Sequence, residues 1–411
     1  MRAGRRPWLV GVVALLTAAS FALRAPCLGP GPAGWATLVP GCHGDLGLMW
    51  DERGLAAGLV PYLQPFLDPV TGRLLTVEYP VLTGMLMWLF SLPGSFAVFV
   101  ALSTALMGAS AAWTAVVLDR LAGPAAWFWA ASPVLVHYLS YNYDALPALT
   151  TVLALGMLAG RSPVEVGTGR VLGAAAILGV GGALKLYPLL LLLPLALWLL
   201  FGRPGPTQPP WRRRLGRALG AAGAGAGVFV AINLPVLVAN PTGWLLPYSF
   251  QATRPIDATT LSVWHFAGQA LPAVPLAAWM AAATLATGLG LLTVGALCWA
   301  GARRKGSFPL LGSAVAVLAV YLALNKVFSP QYALWVLPLL VLARFGPRPL
   351  VTFQAIDVVL FWSLGATTFV KSVRPDLAVT AAAVLVLAVA ARLGYMLWLG
   401  GAGPRRADAT G

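Results

Sequence analysis

The sequence predicts an all-α, polytopic membrane protein with about twelve transmembrane helices and a large first loop on one face. Three observations carry this. Hydrophobic residues make up 59% of the chain and charged residues only 9%, where ordinary soluble domains are roughly one quarter charged. Mean hydropathy is +0.82. The apolar residues, chiefly Leu, Ala, Val and Gly, fall in runs long enough to cross a bilayer as helices, which satisfy their own backbone there. A net charge of +15 and a pI near 10.5 would point to nucleic acid in a soluble chain. In a membrane chain the position of charge matters more than its sum, and no nucleic-acid partner is expected.

The N-terminal "MRAGRRPWLVGVVALLTAASFALRAP" is a basic flank followed by an apolar run. No small-x-small site precedes polar sequence, so it is read as an uncleaved first span, 8–25, rather than a signal peptide. Further runs lie at about 95–118, 124–140, 144–160, 171–184, 186–201 and 218–239, then near 272–299, 308–325, 331–344, 349–369 and 377–399.

"EYPVLTGMLMWLFSLP", from Glu78 to Pro93, is short and Pro-bounded, and is read as a helix dipping into the membrane from the outer face. Parity supports this. With it outside, Arg2/Arg5/Arg6, Arg120, Arg161/Arg170, Arg203/Arg212/Arg213/Arg214/Arg217, Arg303/Arg304/Lys305, Arg344/Arg348 and Arg405/Arg406 all face the cytoplasm, 18 of the 27 basic residues. As a full span it would turn "WRRRLGR" outward, against the positive-inside rule. The acids sort the other way: Asp45, Asp51, Glu52, Asp68, Glu78, Asp144, Asp257 and Asp376 face out, eight of twelve. The two largest loops, 26–94 and 240–271, are also outside, so function is expected there. The chain is thus one transmembrane domain, 1–411, in the plasma membrane. Both termini are cytoplasmic, and 402–411 is a disordered tail. Cys27 and Cys42 share the first outer loop and either form a disulfide or remain two thiols. Cys298, near the inner face, serves as a small apolar residue.

The sequence holds no Walker A motif, no G-x-G-x-x-G opening a helix after a strand, no metal-ligand spacing and no G-x-S-x-G elbow. "GVGGALK" lies inside an apolar span, where small residues serve close packing. What remains is the chemistry of carboxylates, cations, amides and hydroxyls. Asp45, early in the first outer loop, is a candidate general base or, more blandly, a helix N-cap. Asp51, Glu52 and Arg53 read as the wet face of that helix. In "VEYPVLTG", Glu78 and Tyr79 flank the dipping helix as an acidic flank and an interfacial anchor. In "SYNYDALP", Asn142 and Asp144 either touch a substrate and steady Asp45, or Asp144 caps the next helix. Lys185, between two apolar runs, snorkels to the outer boundary or meets a phosphate there. Lys326 and Gln331 flank the Ser329-Pro330 break, a kind of feature that lines sites in broken-helix membrane proteins. Arg254 adds a cation in the second outer loop, and His265 a structural hydrogen-bonder. Asp357 reads as an interior acid near the inner half, away from the outer loops.

The order of a first span, an outer loop with an early Asp, "RGLAAGLVPY", "EYPVLTG", "NYDALP", "ALKLYPLLLLLPL" and "FSPQYALWVLPLL" resembles the integral-membrane glycosyltransferases of the C-type fold. Within them it is similar to actinobacterial glycosyltransferase family 87, which includes polyprenol-phosphate-mannose-dependent mannosyltransferases. The resemblance covers roughly residues 8–345. It implies an Asp base in the first outer loop, at Asp45, and a polyprenyl-phosphate sugar as donor. The family's mannosyltransferases carry histidines in the "SP" segment, where this chain has Ser329-Pro330-Gln331-Tyr332.

These features fit an inverting transferase acting on the outer face, moving a hexose or pentose such as mannose to a cell-envelope glycan or glycolipid. One carboxylate on the acceptor side suffices for inverting chemistry, and the ionised phosphate leaving group needs cations, for which Lys185, Lys326 and Arg254 are the candidates. No D-x-D pair occurs, so neither metal nor other cofactor is expected. The expected partners are the lipid-linked donor, the acceptor and membrane lipids. The alternatives are a transporter or flippase for lipid-linked sugars, with polar groups at mid-membrane, and a non-catalytic relative of the same fold.

Overall fold

The computed structural model describes residues 2–29, 42, 44–202 and 208–405. Its helices are α1 (Arg2–Arg24), α2 (Asp45–Glu52), α3 (Val81–Ser91), α4 (Phe96–Ala122), α5 (Trp127–Ala130), α6 (Pro133–Tyr138), α7 (Ala145–Gly156), α8 (Thr168–Leu184) and α9 (Tyr187–Leu190). They continue with α10 (Leu192–Phe201), α11 (Trp211–Ala239), α12 (Pro241–Thr253), α13 (Val263–Ala270), α14 (Leu276–Lys305), α15 (Leu310–Leu324), α16 (Ala333–Leu342), α17 (Pro347–Val373) and α18 (Ala378–Ala402). Between α2 and α3 a small antiparallel hairpin pairs β1 (Phe66–Leu67) with β2 (Leu74–Leu75). The chain is an all-α, polytopic membrane protein.

Local chemistry sets many boundaries. Ser95, Ser132, Asn240 and Ser262 each accept a backbone N–H in the first turn of the helix they precede, which satisfies a donor the helix cannot. Gly123, at φ 64°, ends α4, and Gly306, at φ 68°, ends α14.

Among the described residues six helices are long and apolar enough to cross a membrane: Gly4–Cys27, Phe96–Ala130, Trp211–Ala239, Leu276–Lys305, Pro347–Lys371 and Pro375–Arg405. The other expected spans are apolar helices of 10–17 residues or are broken. The span expected at 124–140 is broken into a 3₁₀ turn, α5 and α6, because Pro124 and Pro133 cannot donate to a helical ladder. α15 and α16 are short but almost wholly buried, so protein rather than lipid surrounds them.

One end of the bundle is basic. Arg5 and Arg6 converge on the wholly buried Asp119 at the end of α4. Arg217 donates to the carbonyls of Pro163 and Val166, Arg344 to that of Leu121 and Lys305 to that of Arg405. At the opposite end α3 packs against α4, α8 and α11. The second large loop is mostly helical, as α12 and α13. Part of the expected tail is ordered too: Gly403 and Pro404 are buried in a 3₁₀ turn against α15, while 406–411 lie outside the described residues. Cys27 and Cys42 form a disulfide, with Cα atoms 5.5 Å apart, and Cys298 is a buried free thiol.

The "GVGGALK" glycines pack closely. A Cβ on Gly179 would overlap the Gly225 carbonyl of α11, one on Gly181 the Thr150 hydroxyl, and one on Gly182 would lie 2.5 Å from the Leu189 side chain. α8 and α11 therefore meet backbone to backbone. Gly179→Val should destabilise the protein by about 1–3 kcal/mol through overpacking. Gly223→Ala, where nothing lies within 4 Å, should cost nothing. Thermal unfolding of the two variants in detergent compares them.

Candidate functional site

A cavity of about 780 Å³ opens at the end opposite the basic loops. Its walls come from α2 and the turn before α3, from Lys185 after α8, from α12 and the loop after it, and from the Ser329–Tyr332 turn with α16.

Asp45 is the first residue of α2, and its backbone N–H donates to the Tyr141 carbonyl at 3.0 Å. The half-buried carboxylate faces the cavity. Its Oδ2 accepts from the Tyr79 hydroxyl and from Asn142 Nδ2 at 3.5 Å. Burial, reinforced by the Asp45 charge, holds the Tyr79 phenol well above its ordinary range, so Tyr79 remains a donor. Behind Asp45, the buried Arg24 donates Nη1 to the Cys42 carbonyl at 2.7 Å. Gly44 lies directly against that guanidinium, 2.5 Å from Nη2 to where a Cβ would stand.

Asp144 does not cap α7 with its side chain. It is wholly buried. Its Oδ1 accepts from Lys185 Nζ at 2.5 Å and its Oδ2 from Asn142 Nδ2 at 2.9 Å. Asn142 thus bridges the two aspartates. Lys185 follows the last residue of α8 in an extended conformation. Its ammonium lies 5.0 Å from the Tyr79 ring centre, 5.2 Å from that of Trp335 and 5.6 Å from that of Tyr332. It therefore turns inward to a carboxylate and aromatic faces rather than snorkelling outward, because a buried aspartate without a cation is costly.

Glu78 accepts from Arg53 Nε at 2.7 Å. Burial pushes the Glu78 carboxyl up, with Arg53 pulling the other way. Of the expected wet face, Asp51 and Glu52 are exposed, but the Arg53 side chain is only 10% exposed and lines the cavity. In sequence it is masked by two adjacent acids.

Gln331 lines the cavity on a 3₁₀ turn, Pro330–Tyr332. Tyr332 stacks on Trp335 at 3.9 Å, and Trp335 on Tyr187 at 4.1 Å. These three aromatics were not singled out in the sequence; their signal is an aromatic placed close to each break, Tyr187 in "ALKLYP" and Tyr332 and Trp335 in "SPQYALW". Arg254 lines the cavity, donates to the Thr259 hydroxyl at 2.8 Å and forms no ion pair among the described residues. Four candidates lie outside the cavity wall. Asn142 and Asp144, expected to line the site, stand behind Asp45 and Lys185 instead. Lys326 donates Nζ to the carbonyls of Ala252 at 2.8 Å and Arg254 at 3.0 Å; burial lowers its pKa, as does Arg254 nearby. It holds the backbone that carries Arg254. His265 sits on α13 beside the Phe266 ring, its pKa lowered by burial against the pull of Asp257. Asp357 is buried in the bundle and does not line the cavity. Among the described residues no three His, Cys, Asp or Glu side chains cluster as metal ligands.

The arrangement puts on one cavity an oriented carboxylate, Asp45, and a cation, Arg254, that has no carboxylate partner among the described residues. No family model and no curated protein matches the chain. Among solved structures, it is similar to ArnT from Cupriavidus metallidurans bound to undecaprenyl phosphate, with 19% identity, coverage of 97% of this chain and 77% of that one, and a TM-score of 0.46. The same protein in the apo state gives 18% identity, the same coverage and a TM-score of 0.44.

Lys185→Met alone should cost roughly 3–5 kcal/mol, by leaving Asp144 buried without its cation. Adding Asp144→Asn should restore most of that loss. Thermal unfolding of the single and double variants is the measurement.

Proposed function

We propose that this protein is an inverting glycosyltransferase of the C-type fold. It moves a hexose or pentose, mannose by the family resemblance, from a polyprenyl-phosphate donor to a cell-envelope glycan or glycolipid. Asp45 in its cavity is the observation that carries this reading: a carboxylate held by Tyr79 and Asn142, with Arg254 on the same cavity wall. The cavity lies at the end away from the basic loops, and the positive-inside rule puts that end on the outer face, with both termini inside. A lipid-linked donor keeps its cleavable bond at headgroup level, where such a cavity opens.

The acceptor hydroxyl oxygen attacks the anomeric carbon, and Asp45 takes its proton. The bond between the anomeric carbon and the phosphate oxygen breaks, and polyprenyl phosphate leaves with the electron pair. The leaving phosphate is ionised, so a cation stabilises it better than an acid. Arg254 is the cavity cation placed for this, because Lys185 and Arg53 already face Asp144 and Glu78. Lys185 acts by holding Asp144, and Lys326 by holding the Arg254 backbone. The reaction as drawn uses no metal.

The purified protein, given a panel of polyprenyl-phosphate sugars and membrane-extracted acceptors, should release polyprenyl phosphate from one donor. No release from any donor would favour a transporter or a non-catalytic relative. Asp45→Asn should lose about 10²–10⁴-fold in kcat, the usual worth of a general base, while still binding donor; full turnover would sink the base assignment. Tyr79→Phe should lower kcat about 10–100-fold, by removing a hydrogen bond to a charged group, with KM for the donor little changed.

A further inference from the structure

Arg392 lies in the middle of α18, a helix that contributes no residue to the cavity, and it is 1% exposed. A charge buried at that depth is costly unless paired and hydrogen-bonded. Its Nη1 donates to the Phe328 carbonyl at 3.3 Å and its Nη2 to the Pro330 carbonyl at 3.1 Å. The guanidinium also lies 4.3 Å from the centre of the Phe328 ring. The Pro330 carbonyl opens the 3₁₀ turn and also accepts from the Ala333 N–H; the Phe328 carbonyl lies in the irregular stretch between α15 and that turn, where backbone inside a membrane bundle needs donors from elsewhere. Arg392 is that donor.

A buried carboxylate of opposite charge, Asp357 on α17, acts on Arg392 electrostatically, with no ion pair between the two among the described residues. It accepts from the Tyr138 hydroxyl at 3.2 Å, with His137 Nδ1 3.7 Å away. The stretch held in this way is a cavity wall: Ser329, Pro330, Gln331 and Tyr332 all line it.

We propose that Arg392 is a positioning residue for the transfer reaction. By bridging the Phe328 and Pro330 carbonyls, it holds the Ser329–Tyr332 turn in the shape that binds the donor's sugar. This rests on the reading of the cavity as a transferase site.

The test uses the full-length protein carrying Ser329→Cys and Cys298→Ala, with a water-soluble thiol reagent as probe. In the Arg392→Met variant the thiol should react about tenfold faster and KM for the donor should rise about tenfold, with kcat within about threefold, as for loss of uniform binding. Arg392→Lys, which reaches one carbonyl at a time, should fall between Met and the parent. If Arg392→Met fails to fold because Asp357 is left alone, Arg392→Met with Asp357→Asn removes both charges and carries the same expectation. An unchanged labelling rate, or an unchanged KM, in a folded variant overturns the proposal. If the parent protein turns over no donor, the transferase reading fails by itself, and the labelling rates still decide whether Arg392 holds the turn.

Discussion

The contact between Lys185 and Asp144 is the constraint on which the rest of the site depends. A wholly buried aspartate at the start of α7 needs a cation, and the lysine that ends α8 supplies it at 2.5 Å. α7 and α8, which pack against each other, are thereby locked at one end. Through Asn142 the same carboxylate orients Asp45, and through its ring faces Lys185 gathers Tyr79, Tyr332 and Trp335. Tyr79 then closes the circuit by donating to Asp45. Elements from the first loop, α7, α8 and α16 meet around one ion pair, and a shift in that pair would be felt at all of them.

That arrangement divides the cavity electrostatically. Lys185 and Arg53 are each matched to a carboxylate, so they shape the wall without adding a free positive charge. Arg254 donates its side chain to a hydroxyl and to no carboxylate among the described residues. A carboxylate that accepts a proton and a cation that receives a phosphate are therefore separate groups on one wall, each held from behind by residues that do not touch the cavity. Lys326 does this for Arg254, and the disulfide with Arg24 does it for the turn before Asp45.

The break between α15 and α16 follows the same logic in the apolar interior. The Phe328 carbonyl is buried there, so a charged donor is brought in from α18, near the buried carboxylate of α17. The last two helices, which line little or none of the cavity, thus act on its wall. The interior Asp357, read from sequence as remote from the outer loops, belongs to that support.

The sequence by itself determined the class of the molecule, an all-α polytopic membrane protein, and the approximate position of most of its apolar helices. These follow from composition and run length, which are summed over windows of about twenty residues and survive errors in any one position. It also placed Asp45, Tyr79, Glu78, Gln331 and Arg254 where the structure finds them, on one cavity. Only the tertiary structure decided which groups pair. Arg53 and Glu78 are 25 residues apart, Asp144 and Lys185 are 41 apart, and Asp45 and Asn142 are 97 apart. Whether a charged side chain is wet, paired or available depends on desolvation and on a partner a few ångströms away, and that partner is set by packing rather than by neighbours in the chain. For the same reason Lys185 and Lys326, alike in sequence as lone cations beside apolar runs, came to different ends: one inside the cavity facing Asp144, the other behind it tying down backbone carbonyls.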